Sequence, residues 1–426
     1  MSADTAQLIK RVAPYLDTHV LLHFLKNAVP GTERLQEQLV ERTLINKRDT
    51  WSKGDEEAKA NEGNPLLALL NNYQESQKLR QERGFFLEKL GEQYGITLAD
   101  CKKVFSYAKN QYEMGKYKEA EKYLFALKEI LTTEQHSQTE FVLQIFWGLL
   151  QCEILLNREK DTLEFTTLTK MKNYIEKLNA DQVHSYTESM NHKAWIIHQI
   201  LIYSFATQKQ QPAVSLFAQL FTDKTAGPDK VTPIGPSYLN VIQVKCQYLL
   251  RYLISSLILS GNFEFLHEHI LPAVIQEKSK FSDVYTRFVE TLYEKFDFQA
   301  ALGLAKELGK AAQDDILLKA HAQELQAHAV LMVFQLKARI YRSVNIKELI
   351  DEAATTGFIK TEEEARTRLE ESLKKEGFHL EPLDGGPAEA RHYYKVLGQS
   401  KDAKAKIVSK TIDLVTRTNK LYHNYQ

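Results

Sequence analysis

The stretch that decides the fold lies near the C-terminus, where Asn345-Ile-Lys-Glu-Leu-Ile350 and Thr361-Glu-Glu-Glu364 each begin a short amphipathic helix. Phe378-His-Leu-Glu381 and His392-Tyr-Tyr-Lys-Val396 then alternate in side-chain character on either side of Asp384-Gly-Gly-Pro387, as the strands of a β-hairpin do. Helix, helix and hairpin in this order are typical of a winged helix. The pattern therefore predicts a single winged helix at this end of the chain.

The residues before the winged helix read as one helix after another. Glycine and proline are scarce, at 18 and 10 residues in 426, and apolar residues recur at helical spacing, as in Leu124, Leu127 and Leu131. No long stretch before residue 340 has the alternation of a strand. We therefore expect a mostly α-helical chain whose helices are joined by short turns.

One segment shows how these helices pair. Phe105–Ile130 has the spacings of a tetratricopeptide (TPR)-like repeat, with small residues at Ala108 and Ala120 that let two antiparallel helices approach closely. Gly115 lies at the turn, because glycine tolerates the left-handed conformation that often ends a helix. The other matching positions are Tyr112, Tyr117, Leu124 and Leu127.

Two weaker matches to this repeat follow, at Ser260-Gly-Asn-Phe263 and at Phe296-Asp-Phe-Gln-Ala-Ala301. A single match would favour a generic helical bundle, whereas three matches in one helical chain favour a right-handed α-solenoid of TPR- or HEAT-like repeats. The intervals between the matches are irregular, which predicts a degenerate solenoid rather than a consensus array.

The predicted fold class is thus mostly α, with a solenoid capped by a winged helix and followed by a C-terminal helix. Two polar segments that contain glycine or proline, Arg48–Asn64 and Thr222–Pro236, are expected to be long connections between helices. We predict four regions: an N-terminal helical region at 1–85, helical repeats at 86–340, a winged helix at 341–398 and a heptad helix at 399–426.

The C-terminal helix has a wide apolar stripe that one winged helix does not easily cover. Apolar residues recur every seven positions in two adjacent rows, at Ile407, Leu414 and Leu421 and at Val408, Val415 and Tyr422. The opposite face carries Lys401, Lys404, Lys406, Lys410, Arg417 and Lys420. The helix could fold back on its own domain, but three sustained heptads favour bundling with helices of other proteins. We therefore predict that the six apolar residues form a protein-binding face.

Bulk composition indicates an ordinary globular protein of a reducing compartment. Lys+Arg and Asp+Glu are both 55, so no overall charge attracts nucleic acid or an anionic membrane. Three widely spaced cysteines exclude a disulfide framework and a compact zinc knuckle. The N-terminal residues lack a secretory signal, and the apolar runs are shorter than the roughly 20 residues that span a bilayer. We expect a cytoplasmic protein without membrane contact, the nucleus being the other compartment that the composition allows.

No motif argues for an enzyme. The sequence lacks GxSxG, Walker A, GxGxxG and kinase signatures. His19 and His23 stand four residues apart, but no HExxH arrangement or third ligand accompanies them. The same holds for His267 with His269 and for His321 with His328. We expect no catalytic, cofactor-binding or metal-binding residues, no cofactor and no small-molecule substrate.

A winged helix can also read DNA, so the charge of its second helix matters. Glu362–Glu376 contains six acidic and four basic residues, and three consecutive glutamates open it. These glutamates suit the positive end of the helix dipole, but they repel phosphates at the end that usually reads bases. Protein contact is therefore the favoured use of this helix. A winged-helix nucleic-acid-binding regulator is the alternative from a different class.

Five segments, in order from the first helix to the start of the winged helix, carry a family resemblance. They are Val12-Ala-Pro-Tyr-Leu-Asp-Thr-His-Val20 with Phe24-Leu25, Tyr107-Ala-Lys-Asn-Gln-Tyr-Glu-Met-Gly-Lys-Tyr117, Trp195-Ile-Ile-His198, Pro236-Ser-Tyr-Leu-Asn240 with Leu250-Arg-Tyr-Leu253, and Phe288-Val-Glu-Thr-Leu-Tyr293 with Phe296-Asp-Phe298. Together they are similar to motifs of the e-type subunits of eukaryotic translation initiation factor three.

The resemblance implies a PCI domain, in which helical repeats are capped by a winged helix. It implies a non-catalytic scaffold subunit that joins other PCI subunits side by side and places its C-terminal helix in a shared bundle. It also implies that the complex engages the small ribosomal subunit, with mRNA recruitment supported indirectly. The proteasome lid and the COP9 signalosome also contain PCI subunits, so membership of one of those assemblies is the alternative within this class.

Overall fold

A computed structural model gives the fold of the chain. It describes residues 3–29, 31–43, 45, 63–81, 85–131, 139–156, 166–180, 185–206, 212–222, 235–341, 343–353, 361–374, 378–382, 393–398, 411, 414–415 and 418. These residues form two compact units, Met1–Val241 and Ile242–Gln426. The division falls inside the predicted 86–340 region, and the boundaries of the four predicted regions stay predictions.

The first unit is helical throughout its described residues. Its helices are α1 (Ala3–Val12), α2 (Thr18–Ala28), α3 (Glu33–Arg42), α4 (Pro65–Asn71), α5 (Tyr73–Gln81), α6 (Leu87–Tyr94), α7 (Leu98–Glu113), α8 (Tyr117–Leu131), α9 (Thr139–Leu156), α10 (Thr166–Ala180), α11 (Tyr186–Ala206), α12 (Pro212–Thr222) and α13 (Gly235–Lys245), and a 3-10 turn at Ala13–Tyr15 follows α1. The unit boundary lies within α13.

The second unit consists of helices followed by a small sheet. Its helices are α14 (Leu250–Ser260), α15 (Phe263–Phe265), α16 (Leu271–Glu277), α17 (Val284–Tyr293), α18 (Phe298–Asp314), α19 (Ala322–Tyr341), α20 (Ile346–Ala353) and α21 (Glu362–Lys374). Its strands are β1 (Ser343–Asn345), β2 (Phe378–Pro382) and β3 (Tyr393–Gly398). The unit also contains two 3-10 turns, at Gln247–Leu249 and Lys319–His321, and a short π-helix at Leu266–Ile270.

The predicted helical repeat at Phe105–Ile130 is present as the hairpin of α7 and α8. Thr97 and Asp100 form a capping box that starts α7, because Asp100 accepts the Thr97 backbone N–H at 3.0 Å. Gly115 ends the hairpin's first helix with φ 77°, the left-handed conformation that the sequence predicts. Ala108 and Ala120 are fully buried between the two helices, which confirms the close approach.

The turns of the two looser repeats also contain a residue in the left-handed conformation, but the residue differs between them. Gly261 has φ 67° between α14 and α15, whereas Phe296 has φ 54° between α17 and α18. A non-glycine residue in this conformation costs roughly 1–2 kcal/mol. The Asp297 carboxylate offsets part of this cost by capping α18, since it accepts the Ala300 N–H at 3.0 Å.

The C-terminal part of the second unit confirms the winged helix. Strand β3 pairs antiparallel with both β1 and β2, in the order β1-β3-β2, and Leu380 lies opposite Val396. Two helices, α20 and α21, stand between β1 and the hairpin. The buried core of this part consists of Val344, Ile346, Leu349, Ala365, Leu369, Leu373, Leu380, Tyr394 and Val396.

Strand β1 of this sheet is not predicted from the sequence. β1 has only three residues, Ser343–Asn345, which is too short to show a period-two pattern. The predicted turn at Asp384-Gly-Gly-Pro387 lies outside the described residues, as do His392 and most of the two predicted polar connections. The described part of the chain is thus a mostly α-helical repeat fold that carries a winged helix, and the handedness of the solenoid stays a prediction.

Candidate protein-assembly surface

Two features of the second unit qualify as assembly surfaces. The first, which we call the sheet edge, is strand β2 of the winged helix. The second, which we call the heptad face, consists of Ile407, Val408, Leu414, Val415, Leu421 and Tyr422. A strand edge and an apolar stripe with heptad spacing are both features that a chain uses to recruit other chains.

The sheet edge follows from the strand order. Among the strands that the structure describes, β3 occupies the centre of the sheet, so β1 and β2 are its edge strands. β2 has five residues, and its register against β3 runs from Phe378 opposite Gly398 to Pro382 opposite Tyr394. Pro382 is compatible with this place, because proline donates no N–H and is tolerated on edge strands. The outer side of β2 can accept another strand by backbone hydrogen bonding.

Helix α21 of the winged helix presents negative charge at its N-terminus. The Thr361 hydroxyl accepts the Glu364 N–H at 3.2 Å, and Glu362, Glu363 and Glu364 occupy the first turn. The basic side chains are engaged within the domain: Arg366 lies 5.3 Å from the centre of the Tyr394 ring, Arg368 pairs with Glu364 at 3.6 Å, and Lys374 pairs with Glu370 at 3.0 Å. The helix therefore has an acidic end, and two of its three cations are paired with its own glutamates, which suits protein contact better than phosphate contact.

The structure describes two of the six residues predicted for the heptad face. Leu414 is 65% exposed and Val415 is 54% exposed. Thr418, one turn later, donates its hydroxyl to the Leu414 carbonyl oxygen at 2.9 Å, as helical threonines often do. Ile407, Val408, Leu421 and Tyr422 lie outside the described residues, so the face as a whole stays a prediction.

The segments of the first unit that carry the family resemblance stabilise the fold, because their side chains form hydrogen bonds with one another. In the first unit the Asp17 carboxylate caps α2 through the His19 N–H at 2.8 Å and accepts the Tyr112 hydroxyl at 2.6 Å. The His19 ring, which is 2% exposed, lies 3.0 Å from the Tyr117 hydroxyl and 3.2 Å from Glu113. The N-terminal segment thus closes onto the turn of the α7–α8 hairpin.

A second contact ties the N-terminal segment to α11. The rings of Tyr15 and His198 stack with centroids 3.9 Å apart and an interplanar angle of 8°. His198 is fully buried, and its Nδ1 atom lies 2.7 Å from the Ala194 carbonyl oxygen. Burial lowers the pKa of His198 to about 4, against the smaller opposing effect of the Ala194 hydrogen bond. The ring is therefore neutral at physiological pH.

In the second unit, Arg251 of one resembling segment binds two aspartates that lie outside those segments. Its guanidinium donates to Asp283 at 2.9 Å and to Asp315 at 3.1 Å, and Asp315 also accepts the Tyr252 hydroxyl at 3.0 Å. The Asp283 and Asp315 side chains are 12% and 8% exposed, so one arginine faces two largely buried carboxylates. Sequence reasoning missed this network, since its members lie 32 and 64 residues apart.

Other histidines raised by the sequence lie in helix packing or at the surface. His267 and His269 are exposed, with rings 4.9 Å from Tyr293 and 4.7 Å from Phe265. His328 lies 3.2 Å from the Ile258 carbonyl oxygen. Within the described residues, no group of three or more histidine, cysteine, aspartate or glutamate side chains is arranged to hold a metal ion.

One described helix, α9, is long and apolar enough to cross a membrane by length and composition. Of its 18 residues, 56% are buried inside the fold. It packs against α8 and α10 of its own unit. The core helix of a globular unit has the same properties, and the packing of α9 fits that role.

Comparison with known proteins finds relatives of modest identity. No protein-family model matches the chain. Over 291 residues the chain is 25% identical to the E subunits of eukaryotic translation initiation factor 3 from Drosophila ananassae, Drosophila persimilis and Drosophila virilis. The match covers 68% of this chain and 61% of each relative, so the chain spans about three fifths of their length. This similarity agrees with the resemblance found in the sequence.

Proposed function

We propose that this chain is a non-catalytic scaffold subunit of a cytoplasmic complex of the translation initiation factor three type. The observation that carries the proposal is the similarity to relatives named as the E subunit of that factor, over 68% of the chain. A helical-repeat fold that ends in a winged helix supports it, because this architecture offers extended surfaces for other subunits. The described residues suggest contact surfaces rather than reaction chemistry.

In this proposal the winged helix joins other PCI subunits side by side. The sheet edge supports this, because β2 is an edge strand on which another strand can be added. The acidic N-terminal end of α21 favours a partner surface with positive charge. The two features together give the contact a backbone component and an electrostatic component.

The heptad face enters a helical bundle shared with partner subunits. The exposure of Leu414 and Val415 supports this, since two large apolar side chains are left in water in the chain by itself. A bundle seam would bury them at about 25 cal/mol per Å² of apolar surface removed from water. The expected stabilisation belongs to the complex and not to the isolated chain.

Contact with the small ribosomal subunit and with mRNA is made through the complex. The formal net charge of zero supports an indirect role, because RNA affinity is dominated by positive charge set against phosphates. The scaffold would then support mRNA recruitment by holding other subunits in place.

Affinity purification of the tagged full chain from its native cells tests the assignment. We expect mass spectrometry to find other subunits of the initiation factor together with proteins of the small ribosomal subunit. Recovery of proteasome-lid or signalosome subunits in their place would move the chain to the alternative PCI assembly. Recovery of neither, with salt-dependent binding of the full chain to duplex DNA, would favour the nucleic-acid regulator.

The heptad face has a matched pair of variants. The triple variant Ile407→Asp, Leu414→Asp, Leu421→Asp should lose its partner subunits. The control Ser409→Asp, Thr416→Asp, His423→Asp places the same three charges about 200° round a helix of 3.6 residues per turn, and it should keep them. Equal co-purification of the two variants would refute the bundle, while leaving the wider assignment to the initiation factor standing.

A further inference from the structure

Two tryptophan side chains lie together at the surface of the first unit, which contains neither of the assembly surfaces. Trp195 of α11 is 43% exposed, and Trp147 of α9 is half-buried. Their ring centroids are 5.6 Å apart with an interplanar angle of 64°, which is an edge-to-face pair. The His192 ring lies 6.0 Å from the Trp147 ring at an angle of 27°. We call these three residues the indole cluster.

The indole cluster stands on helices whose neighbouring residues are packed in the core. On α11, Trp195 follows Ala194, which is fully buried. On α9, Gly148 follows Trp147, and a Cβ atom at this glycine would lie 2.9 Å from a methyl group of Leu124 in α8. Glycine therefore lets the two helices approach closely. Because both indoles stand on packed helices, they are positioned before a ligand arrives, which lowers the entropy cost of binding.

The exposed charged side chains of α9 and α11 are both acidic. They are Glu140 and Glu188, and each stands seven residues before a tryptophan of its helix. Seven residues make close to two turns, so each carboxylate lies on the same face as its tryptophan, about 10 Å along the axis. The Glu188 carboxylate accepts the Ser185 N–H at 2.9 Å and the Ser185 hydroxyl at 2.8 Å. Both donors are neutral, so they leave its negative charge in place.

The cations of the adjoining helix lie on another side of α11. Lys193 is 4% exposed and pairs with Glu176 of α10 at 2.8 Å. It stands two residues before Trp195, about 200° round the helix, so α10 packs on a different side of α11 from the indole. The exposed lysines of α10 are Lys170 and Lys177. Helix α12, which also packs on α11, contains no charged residue.

We propose that the indole cluster binds an arginine side chain from an extended basic segment of a partner protein. A cation over an aromatic face is attracted by the ring quadrupole, and tryptophan gives the strongest attraction. A guanidinium suits the site better than an ammonium, because it is planar, stacks on aromatic rings and binds carboxylates through two parallel hydrogen bonds. It lies on the exposed face of Trp195. About three extended residues span the roughly 10 Å to Glu188, so a second arginine of the segment reaches that carboxylate.

Two other kinds of occupant match this surface less well. Nucleobases also stack on indoles, but Glu140 and Glu188 repel the phosphates that dominate RNA affinity. A proline-rich segment also docks on aromatic grooves, but without a cation it gains nothing from the two carboxylates. The inference does not depend on the proposed function, since the indole cluster belongs to neither the sheet edge nor the heptad face.

Nuclear magnetic resonance of the full chain, labelled with ¹⁵N at tryptophan, tests the proposal at the site itself. The chain has three tryptophans, whose indole N–H signals are assigned by replacing each with phenylalanine in turn. The probe is the peptide Gly-Ser-Arg-Gly-Ser-Arg-Gly, and its control has both arginines replaced by citrulline, which has the same shape without the charge. We expect the arginine peptide to shift the signals of Trp147 and Trp195. The citrulline peptide should bind about tenfold more weakly.

Three outcomes of this titration would overturn the proposal. Equal affinity for the citrulline peptide would indicate an uncharged occupant. A tighter response to a single-stranded uridine octanucleotide would indicate RNA. Shifts of the same two signals when the protein is concentrated without any peptide would indicate a second copy of this chain.

The aromatic half of the site has a matched pair of variants. Trp195→Ala should weaken binding of the arginine peptide about tenfold. Tyr186→Ala is the control, because Tyr186 is an aromatic residue of the same helix that is 64% exposed. It stands nine residues before Trp195, on about the opposite side of the helix, and its loss should leave the affinity unchanged. Equal weakening in the two variants would refute the indole cluster as the binding site.

The acidic half is tested separately, which keeps the proposal open to refutation if Trp195→Ala is unstable. Glu140→Gln with Glu188→Gln should weaken binding roughly threefold to fivefold at low salt, and less at high salt, because salt screens exposed charges. Glu37→Gln with Glu41→Gln removes the same charge from exposed positions of α3 and should have no such effect. If the two double variants bind the arginine peptide equally well, the carboxylates have no part in the site and the choice of a cationic occupant is wrong.

Discussion

The residues that carry the family resemblance and those proposed to carry assembly lie in opposite surroundings. Asp17, His198 and Arg251 each have partners from segments far away in the chain. Leu414 and Val415 are more than half exposed. The difference teaches that the resemblance marks residues that hold the fold, whereas the proposed binding residues are recognisable only by their periodicity. Substitutions in the first group should cost stability, and substitutions in the second should cost partners.

The largest expected effect is at Arg251. In Arg251→Met the carboxylates of Asp283 and Asp315 are left without their guanidinium while they remain largely buried. Removing one partner from such a network typically costs about 3 kcal/mol. Denaturant unfolding followed by a probe in the second unit should show this loss. Arg287→Met is the control, since Arg287 is exposed and its guanidinium donates to the backbone carbonyl of Asp283, at 3.4 Å. A loss of similar size in both variants would contradict the network.

The next effect is a pH dependence at His198. Because burial lowers the pKa of His198 to about 4, the folded chain keeps the ring neutral where the unfolded chain already binds a proton. Stability from this group is complete above about pH 6.5 and is lost as pH falls from 6.5 to 4, with a total of roughly 3 kcal/mol.

The measurement compares thermal unfolding of the first unit in the wild type and in His198→Gln between pH 7.5 and pH 4. The stability difference between the two chains should shrink as the pH falls, because glutamine has no proton to gain. A difference that stays constant over this range would show that His198 does not titrate as its burial requires.

A smaller effect is expected at the hydrogen bond between Tyr112 and Asp17. Tyr112→Phe removes a hydroxyl that donates to a carboxylate at 2.6 Å, and a hydrogen bond to a charged group contributes about 1.5–3 kcal/mol. Asp17 still caps α2 in this variant, so we expect the free energy of unfolding to fall by about 1.5 kcal/mol. Tyr94→Phe is a comparable control, because the Tyr94 hydroxyl donates to Glu75 at 2.9 Å in a less buried place. Equal losses of stability in the two variants would mean that the hydrogen bond between Tyr112 and Asp17 stabilises the fold no more than the less buried one between Tyr94 and Glu75.

Sequence reasoning reached those features whose signal is local. The α7–α8 turn was predictable because Gly115 suits a left-handed conformation, and the winged helix because its helices and hairpin strands have distinct periods. The similar turn at Phe296 gave no such signal, since phenylalanine is not a residue that favours it.

The rest depends on pairs that a single sequence does not connect. His19 lies 94 residues from Glu113 and 98 from Tyr117, and nothing local marks any of them as partners. β1 forms because β3 offers it a pairing edge, and not because Ser343–Asn345 has a strand pattern. The heptad face is limited in another way. Its seven-residue period can be read from the sequence, but the chains proposed to cover it are separate molecules, which this sequence does not describe.

The smallest effect on stability, and the sharpest contrast with Arg251, is expected at the heptad face. Leu414→Ser with Val415→Ser removes two side chains that are 65% and 54% exposed, so unfolding of the chain by itself should change by less than about 0.5 kcal/mol. Co-purification of partner subunits should nevertheless fall, because these side chains would line the seam of the bundle. Arg251→Met should show the reverse, with reduced stability and a normal set of partners in whatever fraction remains folded. A double-serine variant that unfolds like Arg251→Met would place Leu414 and Val415 among the residues that hold the fold, and the separation between the two groups would fail.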